Sequence, residues 1–160
     1  MIIYTIGVYG FEAGAFFSAL RNAHITLLVD VRQRRGVRGS QYAFANASAL
    51  TAQLRRDGIP YRSEPRLAPT DEVRAVQHRA DLDAGIAKRN RDMLAPAFVR
   101  AYEELVMSRY GDDNLNALLA VAGERPCFLC VERLPSACHR GLISSWISNR
   151  TGASVTNLMS

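Results

Sequence analysis

Ile25-Thr26-Leu27-Leu28-Val29-Asp30-Val31-Arg32 is the stretch that decides the class of this fold. It is nearly continuous in branched apolar residues. A strand with one wet face alternates apolar with polar, whereas a parallel strand covered on both faces reads as an unbroken apolar run. A loop follows at 33–45, marked by Gly36, Gly39 and Ser40.

Similar runs lie on either side. Residues 2–8 form a short apolar run ending at Gly7 and Gly10. Pro126-Cys127-Phe128-Leu129-Cys130-Val131-Glu132 reads as a second strongly buried strand. A shorter strand begins at 59–62, and 153–158 supplies a final one. Between them the spacing turns helical. Residues 11–23 place Phe16, Phe17 and Leu20 on one face. Asn46 can cap a helix over 47–57 that carries Leu50 and Leu54 and stops at Gly58. Thr70 can cap a helix over 71–78. Pro96 opens another, with Phe98, Val99, Tyr102, Leu105 and Val106 at core spacing. Further helices are read at 115–121, closed by Gly123, and at 139–149. Strands alternating with helices predict an α/β domain, its sheet mostly parallel and covered by helices on both faces, a Rossmann-like three-layer arrangement. The 160 residues suit a single domain over 1–160, with a polar excursion from the core, free to be mobile, at about 66–95.

Composition narrows the function classes. With 48% hydrophobic and 22% charged residues, the chain reads as soluble and globular. It has no apolar run of membrane-spanning length, and its first residues read as a strand instead of a signal peptide. The three cysteines, Cys127, Cys130 and Cys138, fall within twelve residues, an odd clustered set that argues for a reducing cytoplasm over a disulfide framework. Between Asp30 and Arg66 eight arginines face three acids, which accounts for the whole net charge of +5. Lys88 is the sole lysine among twenty basic residues. Arginine presents a planar fork that suits phosphate and carboxylate. A solvated face is the plainer reading of the same arginines.

Two strand ends carry the polar chemistry, and strand ends of parallel sheets are where ligands collect. At the first, Asp30 and Arg32 either bind a polar ligand or pair with each other. Arg34, Arg35 and Arg38 follow in the loop. At the second, Cys138 falls where a helix should begin, next to His139 and Arg140. The helix dipole and the adjacent positive charge lower a thiol pKa there. Cys138, His139 and Glu132 together could support covalent catalysis. Cys130 reads as a packed strand residue. A metal reading of Cys130, Glu132, Cys138 and His139 lacks zinc-ribbon or finger spacing. Cys127 and Cys130 form one C-x2-C, but inside a strand their side chains point to opposite faces. No metal and no cofactor are expected.

These motifs resemble the bacterial and archaeal family catalogued as domain of unknown function 488. Thr5-Ile6-Gly7 is similar to its T-I-G opening, Leu28-Val29-Asp30-Val31-Arg32 to its L-V-D-V-R, and Gly58-Ile59-Pro60-Tyr61 to its G-I-x-Y turn. Arg38 stands where the family usually has an arginine. Leu129-Cys130-Val131-Glu132, Pro135 and Cys138-His139-Arg140 resemble its L-C-x-E-x-x-P-x-x-C-H-R signature. Leu67-Ala68-Pro69-Thr70 and Lys88-Arg89-Asn90-Arg91 resemble one branch. Arg35 and Val37 depart from the Pro and Ser common among members. The resemblance implies an α/β fold that brings the Asp30 and Cys138 ends together, and it implies no assigned reaction.

The leading expectation is a small cytoplasmic enzyme or binding protein with an Arg-lined anion pocket for a phosphate-bearing ligand, a nucleotide or nucleic-acid component. Thr5, Gly7, Arg32, Arg38 and Arg140 would bind it. Asp30 or Glu132 would act as general base or orient a ligand hydroxyl, and Cys138 or His139 would be nucleophile or proton carrier. The alternative is a non-catalytic nucleic-acid-binding module using Arg34, Arg35, Arg55 and Arg56 on phosphates, with Tyr42 or Phe44 as stacking surfaces. A third is an anion-sensing or partner-binding domain without chemistry. No membrane partner is expected, and a homo-oligomer is left open.

Overall fold

The computed structural model describes residues 1–87 and 90–160. Lys88 and Arg89, half of the basic run read as a branch feature, lie outside the described residues. Five strands form one parallel sheet: β1 (Ile2–Gly7), β2 (Leu27–Asp30), β3 (Tyr61–Ser63), β4 (Pro126–Cys130) and β5 (Ser154–Leu158), in the order β3-β2-β4-β1-β5. Tyr4 on β1 registers with Cys127 on β4, and Leu27 on β2 with Pro126. The strands read as buried apolar runs are therefore parallel neighbours, with β4 between the other two.

Alternation along each strand divides the core in two. Ile3, Val29, Phe128 and Cys130 face one side, packed by α4 (Pro96–Tyr102), α5 (Ser108–Ala122) and α6 (His139–Thr151). Tyr4, Ile6, Leu28, Cys127 and Leu129 face the other, packed by α1 (Ala13–Asn22) and α2 (Ala47–Arg56). Cys127 and Cys130 thus occupy opposite faces, as period-two alternation requires. Fully buried Phe16, Leu20, Leu50 and Leu54 each contribute about 1.5–3 kcal/mol of transfer free energy to the second core.

The polar segment after Leu67 holds α3 (Asp71–Asp83), longer than its apolar spacing foretells. Its inward face is Val73, Gln77 and Asp81. Gln77 donates to Asp81 at 2.7 Å and accepts from the Ala95 backbone at 2.9 Å. A helix anchored by buried amide and carboxylate groups escapes a reading that looks for hydrocarbon. α5 likewise extends beyond the predicted 115–121, and Gly111, at φ 72°, interrupts its helical geometry. Among the described residues no helix is long and apolar enough to cross a membrane.

The topology also places the site. From β1 the chain leaves through α1 on one face; from neighbouring β4 it leaves through α6 on the other. Such a divergence opens a crevice beyond the carboxyl ends of the two strands.

Candidate functional site

The Asp30 carboxylate, at the end of β2, is fully buried and encircled by donors. Arg32 binds it in two-pronged fashion, Nε to Oδ1 at 2.8 Å and Nη2 to Oδ2 at 2.7 Å. The Tyr61 hydroxyl donates to Oδ2 at 2.8 Å and the Arg32 backbone N–H to Oδ1 at 3.2 Å. The third arm of Arg32, Nη1, donates to the Ala45 carbonyl at 2.9 Å. That contact ties β2 to the end of the loop carrying Arg38 and Tyr42.

Arg140 does the same for the other strand end. It is fully buried in the first turn of α6 and donates to the carbonyls of Glu132 and Arg133, the latter at 2.8 Å. Its Nε lies 3.4 Å from Thr5 Oγ1. Gly7 closes the arrangement: a Cβ there would stand 2.0 Å from the Glu132 carbonyl oxygen and 3.1 Å from Arg140 Nη2. Glycine is required because two backbones touch. Thr5, Gly7 and Arg140 thus lie together with the loop after β4, and Thr5 Oγ1 also donates to Asn157 Oδ1 on β5 at 2.7 Å.

That loop walls a cavity of about 740 Å³ beyond β1 and β4, lined by Tyr9, Ala87, Arg91, Asp92, Glu132, Arg133, Leu134 and Ala137. The volume suits a small organic ligand. The Tyr9 ring meets that of Tyr42, from the loop after β2, at 5.1 Å between centroids and a tilt of 52°. Burial first, then the Glu132 charge, raise the Tyr9 hydroxyl pKa, while the Arg38 guanidinium pulls it down. Tyr9, Tyr42 and Glu132 therefore lie near one another beyond the carboxyl ends of β1 and β4. Arg91 donates to Asp81 at 2.8 Å, and only a tenth of its side chain is exposed. Its buried Nε has no hydrogen-bond partner among the described residues.

Beneath this lies a thiol–imidazole cluster. His139 Nδ1 is 3.8 Å from Cys130 Sγ and 3.9 Å from Cys138 Sγ, and its Nε2 is 3.1 Å from the Val31 carbonyl oxygen. Cys138 is the N-cap of α6. Burial alone would raise its thiol pKa; a hydrogen bond from Cys130, the adjoining His139 ring and the Arg140 charge outweigh it and hold Cys138 well below the ordinary range. Cys130, donor to Cys138 and itself buried, is pushed well above it. Both sulfurs are nearly inaccessible, Cys138 at 2% exposure.

The remaining arginines separate. Arg62 and Arg66 pair with buried Glu64, at 3.2 and 2.8 Å. Exposed Arg34, Arg35 and Arg38 lie in the loop that leads to the start of α2, while Arg55 and Arg56 lie at its far end. Ten helical residues put about 15 Å between the two groups. Phe44 packs against Phe16 and Phe17 at 5.2 and 6.0 Å. Tyr9, Asp92 and Arg133 carry no functional motif in the sequence, and Arg91 stands there only within the run that resembles one branch of the family. The available signal was position, since Tyr9 and Arg133 each fall just beyond a buried strand.

Fold and crevice define a three-layer parallel α/β protein with a polar strand-end cleft. The chain belongs to the family described as Domain of unknown function DUF488, whose model matches residues 12–147. No curated protein and no solved structure matches it.

Proposed function

We propose that the strand-end cleft binds a phosphate-bearing small molecule of the nucleotide class. The observation that carries this reading is Arg91 in the cleft wall, whose buried Nε has no hydrogen-bond partner among the described residues. A buried guanidinium N–H without an acceptor costs about 1–3 kcal/mol, and an anionic oxygen from a ligand would recover that. Arg133 in the same wall adds charge suited to phosphate, and the charge of Arg38 is felt by the Tyr9 hydroxyl. The Tyr9–Tyr42 pair offers an aromatic surface for a base. Glu132 and Asp92 would accept from ligand hydroxyls and disfavour a bare polyanion. In this reading Asp30–Arg32 and Thr5–Gly7–Arg140 do not touch the ligand but hold the two loops that do. Glu132 would serve as the proton carrier for chemistry at this cleft.

Calorimetric titration with AMP, ADP and ATP, against adenosine and inorganic phosphate, tests this. Nucleoside phosphates should bind, with R133A and R91A weakening binding at least about tenfold, as expected for charged hydrogen-bond partners. Absence of binding by every phosphate compound at millimolar concentration would refute the proposal.

A further inference from the structure

Cys130, Cys138 and His139 form a cluster that the proposed ligand cleft does not use. Two sulfurs and a ring nitrogen all lie within 4.8 Å of one another, and all three residues are buried. The end of β4 contributes one sulfur, and the first turn of α6 contributes the rest. The His139 tautomer follows from geometry. A carbonyl oxygen only accepts, so Nε2, 3.1 Å from Val31 O, carries a proton. Nδ1 is then the nitrogen available to a ligand. A backbone carbonyl that orients the far side of the ring is the usual support of a metal-binding histidine.

We propose that Cys130, Cys138 and His139 bind one thiophilic divalent transition-metal ion of the Zn²⁺ class through two thiolates and Nδ1, with an external ligand completing the shell. Nδ1 stands 3.8 and 3.9 Å from the two sulfurs. Bond lengths of about 2.3 Å to sulfur and 2.0 Å to nitrogen give a sulfur–nitrogen edge of about 3.5 Å in a tetrahedron, so these two edges need only a small contraction. Cys130 Sγ is also 3.9 Å from Nε2, so coordination turns this sulfur toward the Nδ1 side of the ring. The soft donor set selects against Mg²⁺ and Ca²⁺, which take oxygen. Binding releases to solvent whatever thiol protons the two cysteines still carry. Cys127 faces the opposite core and takes no part.

The test uses the reduced, metal-free full chain titrated with Co²⁺ without oxygen. The expected result is one ion per chain, with a thiolate-to-cobalt charge-transfer band, strong visible bands of four-coordinate cobalt, and loss of both on adding Zn²⁺. C127S should retain these bands; C138S and H139Q should lose them. No stoichiometric bands in the unaltered chain, or bands that survive in C138S, would overturn the assignment. Because C138S can perturb folding, alkylation of the unaltered chain supplies an independent readout. Zn²⁺ should protect Cys130 and Cys138 but not Cys127, and a chelator should reverse it. Equal labelling with and without Zn²⁺ refutes the site, and so does protection that only a reductant reverses, which marks a disulfide instead.

Discussion

Arg32 holds Asp30 in a fully desolvated, two-pronged ion pair whose third arm reaches the Ala45 carbonyl. A pair of this kind adds little net stability over an apolar replacement, but breaking it leaves a buried charge alone. What it provides is position: one guanidinium links a strand end to the close of a long loop.

Asp30→Ala should therefore cost about 3–5 kcal/mol of unfolding free energy, because Arg32 is left without its counter-ion. Tyr61→Phe, which removes one of several donors to the same carboxylate, should cost only about 1 kcal/mol. Urea denaturation of the two variants against the parent chain gives both numbers. Equal losses would mean that the pair is not the centre of this network.

Gly7→Ala tests the close approach at the other strand end. The added carbon meets backbone, which cannot rotate away, so the loop after β4 must shift. A loss of about 1–3 kcal/mol is expected, the range for overpacking. Nucleotide affinity should fall with it, since that loop carries Glu132 and Arg133. Gly14, which has open space around it, is the control position and should tolerate alanine.

Glu64 should shape the acid limb of stability. Burial pushes its carboxyl pKa up, but Arg66 and Arg62 outweigh this, and the folded value lies below the ordinary 4.5. The unfolded chain then binds the proton more readily than the folded one. Its contribution is complete above about pH 4.5 and is lost as pH falls through the lower folded value. Unfolding free energy measured from pH 6 to pH 2.5 should decline less steeply in Glu64→Gln than in the parent chain. Identical slopes would show that the ion pairs are not formed in solution.

Cys138 and Cys127 should differ in reactivity for opposite electrostatic reasons. Cys138 caps a helix beside Arg140, whereas burial pushes Cys127 far up. With metal absent, the alkylation rate of Cys138 should level off at a pH below about 8.5, the free-thiol value. Its burial slows the absolute rate without moving that midpoint. Site-resolved mass spectrometry across pH 5 to 10 reads both. A Cys138 midpoint at or above the free value would remove the thiolate.

By itself the sequence determined the sheet. Unbroken apolar runs at β1, β2 and β4 specify strands buried on both faces, since an apolar side chain on a wet face gains nothing from burial. The helical spacing between them specifies parallel crossovers. It also marked Asp30, Arg32, Cys138, His139 and Arg140, because acids, arginines and thiols stand out at the ends of buried strands. Their assignments lay beyond it. Whether Arg32 faces a ligand or Asp30, and whether Arg140 faces solvent or the Glu132 carbonyl, depends on which donors and acceptors the fold leaves nearby. Arg32 meets the Asp30 carboxylate, whereas the partners of Arg140 are backbone carbonyls, which no residue type announces. Only tertiary structure brought Tyr9, Arg91 and Arg133 to one cleft, because local preference carries no information about such long chain separations, and only the turn from β4 into α6 set His139 beside two sulfurs.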